Sequence, residues 1–357
     1  MLLVVITVLM AFAFDFVNGI NDAANSIATI VSTRVLSPRL AVVWAAFFNF
    51  AALFIFGTSV ASTVGSGIVS TSVVNDHLGP YMILGALCGA IVWAYFFCAR
   101  IGIPVSSSHS LIGGLIGAAL VKGGISMLIL GHSPMEFVHT KIFITFLFIV
   151  LAPVLGLVMG YLIMVITTWI ARYYTPQKVD KVFRIGQLIS SACFSIGHGG
   201  NDAQKTMGVI AMLLYSARSI PFVHDYLFTF QNVKPGIMPV PHWVEVTALT
   251  VIALGTLSGG MKIVKTMGMK LTHLKPVGGF SAEVAGAITL FSATHFGIPV
   301  STTQTIAGAI MGVGSTRRVS AVRWGIAGNI IWTWILTIPC SAILGAIAYF
   351  IISLFIK

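Results

Sequence analysis

The chain has 357 residues, of which 57% are hydrophobic and only 8% are charged. This composition excludes an ordinary soluble domain, because such domains carry about 25% charged residues. Many apolar runs reach the ~20 residues that an α-helix needs to cross a bilayer, and they lack the alternation of a membrane barrel. The net charge of +11 does not predict nucleic-acid binding, since the basic residues cluster in short loops between the runs. We therefore predict an all-α, polytopic membrane protein.

The apolar runs predict ten membrane crossings. In chain order they are residues 2–33, 40–60, 80–99, 103–121, 141–170, 185–215, 243–261, 277–296, 299–315 and 324–356. With the N-terminus outside the cell, most lysines and arginines fall in cytoplasmic loops, which favours this orientation over its inverse. Both termini are then predicted on the extracytoplasmic side.

Two motifs occur twice, in the same order along the chain. The pair Asn21-Asp22 recurs as Asn201-Asp202. The second motif is GIPVSSSHS at residues 102–110 and GIPVSTTQT at residues 297–305. Two paired motifs in one order indicate an internal duplication.

The duplication predicts how the chain is divided. Five predicted crossings lie on each side of a cytoplasmic connection at 171–184, and an odd number reverses the second half relative to the first. We therefore predict two inverted membrane repeats, residues 1–170 and 185–357, as many secondary transporters have. The Pro-rich loop 216–242 is predicted to be an ordered or semi-ordered extracellular connection.

Each copy of the second motif places hydroxyl residues behind a proline. Pro104 and Pro299 are predicted at the first position of a helix, where proline removes only an N–H that has no partner. The free N–H groups and the helix dipole at such an end suit an oxyanion, and hydroxyls add donors. The predicted oxyanion contacts are Ser106, Ser107, Ser108, Ser301, Thr302 and Thr303. The alternative role for these hydroxyls is hydrogen bonding between packed helices.

The Asn-Asp pairs lie inside apolar runs, where an acid costs roughly 2.5–3.5 kcal/mol on insertion scales and so indicates function. Carboxylate and amide oxygens suit Na⁺, and a carboxylate can instead accept a proton. Gly19, Gly199 and Gly200 precede the pairs and predict local unwinding, which would add backbone carbonyls as ligands. Two cation sites would then flank one anion and couple its binding to theirs.

Several further polar residues complete the predicted site. The coupling-cation set is Asp22, Asp202, Asn25, Gln204 and Glu283. The two aspartates are also the predicted ligands for a metal ion, and packing hydrogen bonds are the alternative. Lys205, which has no basic counterpart in the first copy, is predicted either to contact the anion or to neutralise an acid. His109 and His198 have no metal-ligand spacing and are predicted to form structural hydrogen bonds.

The motifs together resemble one known family, the inorganic phosphate transporters (PiT). The stretches that carry the resemblance are FDFVNGINDAAN at 14–25, GIPVSSSHS at 102–110, HGGNDAQKTMG at 198–208 and GIPVSTTQT at 297–305. The resemblance covers essentially the whole chain. It implies an inverted-repeat carrier that moves inorganic phosphate with Na⁺ or H⁺. The resemblance further implies that the protein is a homodimer, is not an enzyme and needs no cofactor besides the coupling ion.

The resemblance also assigns roles to residues. It implies that Asn21, Asp22, Asn201 and Asp202 form the core site, with the two asparagines and the hydroxyl runs contacting phosphate. There is one departure, since Asn49 stands where some members carry a glutamate. Lys205 and the short connection at 171–184 look like the bacterial branch, which implies a multi-pass protein of a prokaryotic plasma membrane.

Other functions are compatible with parts of this pattern. Sulfate and a metal–phosphate complex are alternative cargoes for the same fold. An anion channel needs no coupling site, and buried acids would hinder anion flow. An intramembrane enzyme is disfavoured because the hydroxyls occur in duplicate with no single nucleophile–base pair. The sequence leaves Na⁺ and H⁺ open as coupling ions.

Overall fold

Helices make up most of the described chain. The structure, a computed structural model, describes residues 1–70, 78–131, 133–218, 220, 223 and 240–355. These residues contain α-helices with short 3₁₀ and π segments and no named strand, which confirms the all-α prediction. Most of the loop predicted at 216–242 lies outside the described residues.

The helices are numbered here in chain order. They are α1 Leu2–Ser32, α2 Pro38–Ala51, α3 Ser59–Gly67, α4 Gly79–Ile91, α5 Ser107–Gly123, α6 Pro134–His139, α7 Lys141–Ala171, α8 Pro176–Ser216, α9 His242–Ser258, α10 Met261–Lys265, α11 Pro276–His295, α12 Thr302–Ser315 and α13 Trp324–Ser353. A π-helical segment continues α4 over Val92–Ala99, and another continues α10 over Thr266–Lys270.

The described helices confirm a membrane protein with broken spans. Five of them, α1, α4 with part of its extension, α7, α11 and α13, are long and apolar enough to cross a membrane. Two more spans are bent pairs, α2 with α3 at 83° and α9 with α10 at 64°. Length and composition therefore give five to seven spans in the described residues, against ten predicted crossings.

When each bent pair is counted as one span, three predicted crossings remain unmatched, and the helices at all three carry the duplicated motifs. α5 has 17 residues and α12 has 14, which is about 26 Å and 21 Å of helix, too short for the ~30 Å hydrocarbon core. This agrees with the prediction of broken or re-entrant helices at these motifs. α8 has 41 residues, but its motif segment is rich in polar side chains although it is buried.

The predicted unwinding at the Asn-Asp pairs is wrong. Both α1 and α8 run through their pairs without a break. The glycines there serve close packing between helices instead. A Cβ on Gly19 would lie 2.9 Å from the Cα of Gly255 in α9, and one on Gly199 would lie 2.8 Å from the Cα of Asn49 in α2.

Each half of the chain packs its short motif helix against a long helix of the other half. The short helix α5 packs on α13 of the other half, and α12 packs in the same way on α7. Both long partners contain an internal proline, Pro153 in α7 and Pro339 in α13. Gly117 and Gly312, equivalent positions of the two motifs, each leave no room for a Cβ against the facing helix. Reciprocal packing of this kind is expected of an internal duplication, and the inverted orientation of the repeats stays a prediction.

Candidate functional site

The paired motifs meet in the interior of the molecule. α1 and α8 bring their Asn-Asp pairs side by side, and the first turns of α5 and α12 lie against them. The motif side chains named below are at most 5% exposed. The sequence therefore predicted correctly which stretches come together, although it did not predict their partners.

The hydroxyl runs open both short helices through a serine cap. Ser106 and Ser301 are the N-caps, with nearly identical backbone angles, and their hydroxyls accept from the N–H of His109 and Gln304. The prolines lie two residues before the caps, so the prediction that they occupy the first helical position is wrong. The backbone at each serine is extended, as is usual for a residue whose side chain caps a helix. The hydroxyl residues that follow lie in the first turn of the helix, where backbone N–H groups have no intrahelical acceptor.

The first half of the site, here the Asp22 cluster, consists of Asp22, Asn25, Thr303 and the Val105 carbonyl. Asn25 Nδ2 donates to Asp22 Oδ1 and to Thr303 Oγ1, each at 2.9 Å. The Thr303 hydroxyl lies 3.0 Å from Asp22 Oδ1 and 3.1 Å from the carbonyl oxygen of Val105. One hydroxyl proton cannot serve both acceptors. Asn25 Oδ1 also has no partner among the described residues, so acceptors outnumber donors here.

The second half, here the Asp202 cluster, consists of Asp202, Lys205, Ser108 and the Val300 carbonyl. Lys205 Nζ donates to Asp202 Oδ1, to Ser108 Oγ and, at 2.8 Å, to the carbonyl oxygen of Val300. The Thr302 hydroxyl donates to Asp202 Oδ2 at 2.9 Å. Of the two roles predicted for Lys205, the structure shows neutralisation of an acid.

The two clusters are contiguous, and a histidine joins them. One ligand atom each of Asp22, His198 and Asp202 lie within 4.8 Å of one another. His198 Nε2 is 3.2 Å from Asp202 Oδ2, and its Nδ1 is 3.1 Å from Asn49 Oδ1. His198 was predicted to form structural hydrogen bonds, and its contact with Asn49 is of that kind, but its place in this group was not predicted. Its spacing of four residues from Asp202, one turn of the same helix face, was the available signal.

The predicted anion contacts retain unsatisfied polar atoms. Asn21 Nδ2 donates to the carbonyl of Ala94 at 3.2 Å, and Asn201 Nδ2 donates to Thr294 Oγ1 at 3.0 Å. The amide oxygens of both asparagines and the hydroxyl of Ser107 have no partner in the described part of the chain. The free amide atoms are acceptors, which suit a cation or a protonated phosphate oxygen better than a bare one.

Two residues of the predicted coupling set lie outside these clusters. Gln204 Oε1 accepts from the backbone N–H of Val60 at 2.8 Å, and Gln204 Nε2 donates to the carbonyl of Gly200, so its amide is used to hold the start of α3. Glu283 accepts from Thr29 at 2.6 Å, from Gln187 at 3.1 Å and from Ser190. Thr29 is two turns beyond Asp22 along α1, about 10 Å away.

We expect Glu283→Gln to lower the uptake rate severalfold and the melting temperature by several degrees, without changing the half-saturating cation concentration. The carboxylate ties α11 to α1 and α8 through three donors, and hydrogen bonds to a charged group contribute about 1.5–3 kcal/mol each. Cation activation curves in proteoliposomes and thermal unfolding in detergent measure these effects. Glu245→Gln is the control, since Glu245 lies at the start of α9. A shifted activation curve would instead make Glu283 a coupling residue.

Comparisons with known proteins agree on one family. Residues 18–345 match the profile described as "Phosphate transporter family". A protein of Rhizobium meliloti (strain 1021) named "Probable low-affinity inorganic phosphate transporter" is 51% identical over 96% of this chain and 94% of its own length. A protein of Bacillus subtilis (strain 168) with the same name is 39% identical over 99% of this chain and 98% of its own.

A solved structure has the same fold. It is described as "The sodium-dependent phosphate transporter", is 26% identical, and superposes with a TM-score of 0.81 over 100% of both chains. Proteins similar along their whole length to this chain are thus transporters, not enzymes.

Proposed function

This chain belongs to the phosphate transporter family, and we propose that it imports inorganic phosphate across a prokaryotic plasma membrane together with Na⁺, by alternating access. The observation that carries the proposal is that both buried aspartates accept from the first turn of α12, while the first turn of α5 joins them through Ser108 and Lys205. H⁺ is the alternative coupling ion. Homodimer assembly, which the family resemblance implies, stays a prediction.

Charge provides the coupling in this proposal. A cation would bind in the Asp22 cluster, where acceptors outnumber donors and the carboxylate is buried. Phosphate would bind beside it, against the N-termini of α5 and α12 with their hydroxyls, through the unpaired donors of those first turns. Because unscreened like charges repel strongly at low dielectric, the anion binds weakly until the cation has neutralised Asp22.

The packing of each short helix on a long helix of the other half supports alternating access. Each short helix carries one hydroxyl run and moves with a long helix of the other half, α5 with α13 and α12 with α7. Rocking of these two units about α1 and α8 would open the site first to one side of the membrane and then to the other, as in other inverted-repeat carriers.

The deciding experiment is uptake of labelled phosphate into proteoliposomes, with Na⁺ and pH gradients imposed independently. We expect accumulation driven by an inward Na⁺ gradient at constant pH, and weak competition by sulfate, which has no proton to share with a carboxylate. Accumulation driven only by an inward H⁺ gradient would transfer the coupling role to H⁺. No accumulation under either gradient would exclude the proposal.

A metal–phosphate complex is a second candidate cargo, favoured by the proximity of Asp22, His198 and Asp202. Against it, Asp202 already accepts from Lys205 and Thr302. Uptake measured in chelator-treated buffer separates the two cargoes. Free phosphate is carried undiminished there, whereas a metal–phosphate cargo requires that a divalent cation be restored.

We expect Ser107→Ala to raise the half-saturating phosphate concentration about tenfold and to leave the melting temperature unchanged. The Ser107 hydroxyl is buried in the first turn of α5 without a partner among the described residues, so its removal costs no hydrogen bond within the protein. A hydrogen bond to a charged group contributes about 1.5–3 kcal/mol, which is about tenfold or more in affinity.

Concentration dependence of uptake and thermal unfolding measure both quantities. Ser110→Ala is the matched control, because the Ser110 hydroxyl donates to the carbonyl of Ser106 within the same helix. Equal half-saturation in Ser107→Ala and Ser110→Ala would remove Ser107 from the phosphate site.

A further inference from the structure

Lys205 is a buried cation whose hydrogen-bonding capacity is used up. Its side chain is 3% exposed, and its ammonium group has three N–H donors. The three acceptors around it are a carboxylate, a hydroxyl and a backbone carbonyl, from Asp202, Ser108 and Val300. Carboxylate, hydroxyl and carbonyl oxygens are also the ligands of a hard cation. The ammonium thus lies where a free cation would find its ligands.

The same kinds of oxygen recur at the equivalent position of the other copy. The equivalent pairs are Asp22 and Asp202, Asn25 and Lys205, Thr303 and Ser108, and Val105 and Val300. In the Asp22 cluster these oxygens surround the Asn25 amide or lie next to it. The two clusters therefore differ in the residue at the centre of these oxygens, since the Asp22 cluster has an uncharged amide where the Asp202 cluster has an ammonium.

The difference decides the charge of each cluster. The Asp202 cluster contains one carboxylate and one ammonium and is neutral. The Asp22 cluster contains a carboxylate and no cationic side chain, with Asn25 Oδ1 buried and lacking a partner among the residues described. Together they hold two carboxylates and one ammonium, with the His198 imidazole beside Asp202, so one further monovalent cation neutralises the two carboxylates when that imidazole is neutral.

We propose that Lys205 is a tethered cation that permanently occupies one of two equivalent cation sites, so that only the Asp22 cluster takes a dissociable coupling cation. The inference rests on the proposed function and sharpens it, because it lowers the number of cations carried at this aspartate pair from two to one. It also excludes Lys205 as a phosphate ligand in this conformation, since all three of its N–H groups are engaged.

The test exchanges the two equivalent residues. Lys205→Asn converts the Asp202 cluster into a copy of the Asp22 cluster, and Asn25→Lys does the reverse. Na⁺ binding to purified full-length protein, measured by titration calorimetry with phosphate present, should give one more site than wild type in Lys205→Asn and one fewer in Asn25→Lys. If H⁺ is the coupling ion, the count is of protons taken up from weakly buffered solution on phosphate binding.

Because the number of Na⁺ sites in each variant is compared with that of wild type, cation sites elsewhere in the chain cancel in the comparison. Lys205→Asn should also gain melting temperature on addition of Na⁺ more steeply than wild type, because a second bound ion stabilises the folded state by linkage. Unchanged site counts in both variants would overturn the tethered-cation inference. Phosphate uptake of wild-type protein, measured in parallel, tests the proposed function separately, since the site counts are obtained without transport.

Discussion

Asp22→Asn is expected to abolish cation-driven phosphate uptake in a protein that still folds. The asparagine keeps an oxygen that accepts from Asn25 and Thr303, so these two hydrogen bonds are retained. What is lost is the only buried charge that the Asp22 cluster offers to a cation. Removing one partner of a buried ion pair costs about 3–5 kcal/mol, which corresponds to at least about a 100-fold higher half-saturating cation concentration.

Uptake against Na⁺ concentration and melting temperature in detergent check both parts of this expectation. Asp15→Asn is the matched control, since Asp15 is an equally buried acid of α1 that accepts from Thr206 at 2.9 Å. It is expected to keep cation-driven uptake. Wild-type cation activation in Asp22→Asn would remove the coupling site from the Asp22 cluster.

Asp202→Asn is expected to act on stability first. Although Asp202 is the sequence equivalent of Asp22, its substitution leaves the Lys205 ammonium buried without a counter-charge. An uncompensated buried charge costs about 3–5 kcal/mol, which is a large share of the stability of a typical domain. We therefore expect a much lower melting temperature and yield than for Asp22→Asn, in addition to loss of uptake.

A double-mutant cycle isolates this effect. Asp202→Asn combined with Lys205→Met removes both charges and should recover most of the melting temperature that Asp202→Asn loses, because no unpaired charge remains. Equal melting temperatures for Asp202→Asn and Asp22→Asn would contradict the ion pair as a stabilising contact. The sequence alone placed both aspartates in one coupling-cation set, and the structure gives them different partners.

Composition and the internal duplication predicted the fold class and the stretches that form the site. An apolar chain with few charges has only helices or a closed barrel available in a bilayer, because no water satisfies the backbone there. The repeated Asn-Asp and Pro-hydroxyl motifs likewise identified the stretches that form the site, since buried acids and exposed helix ends in an apolar chain are costly without a function. Asp22, Asn25, Thr303 and Asp202 were all obtained in this way.

Packing between distant helices decided the rest. The sequence predicts that the helix unwinds at Gly19. In the structure α1 is continuous there, and the glycine allows α9 to approach closely. Gln204 and Glu283 are buried polar residues of the kind that bind ions, yet their partners lie on α3 and on α1 and α8, away from Asp22.

The sequence by itself determined that two equivalent acidic positions share one site, because an internal duplication is visible in the order of residues. Only the tertiary structure decided that Lys205 neutralises Asp202 and leaves the Asp22 cluster without a cationic side chain. Lys205 donates to Ser108 and to the carbonyl of Val300, which lie at the N-terminal ends of α5 and α12, far from Lys205 in the chain. A hydrogen bond of that kind depends on where α5 and α12 dock against α8, and local sequence carries no record of that docking.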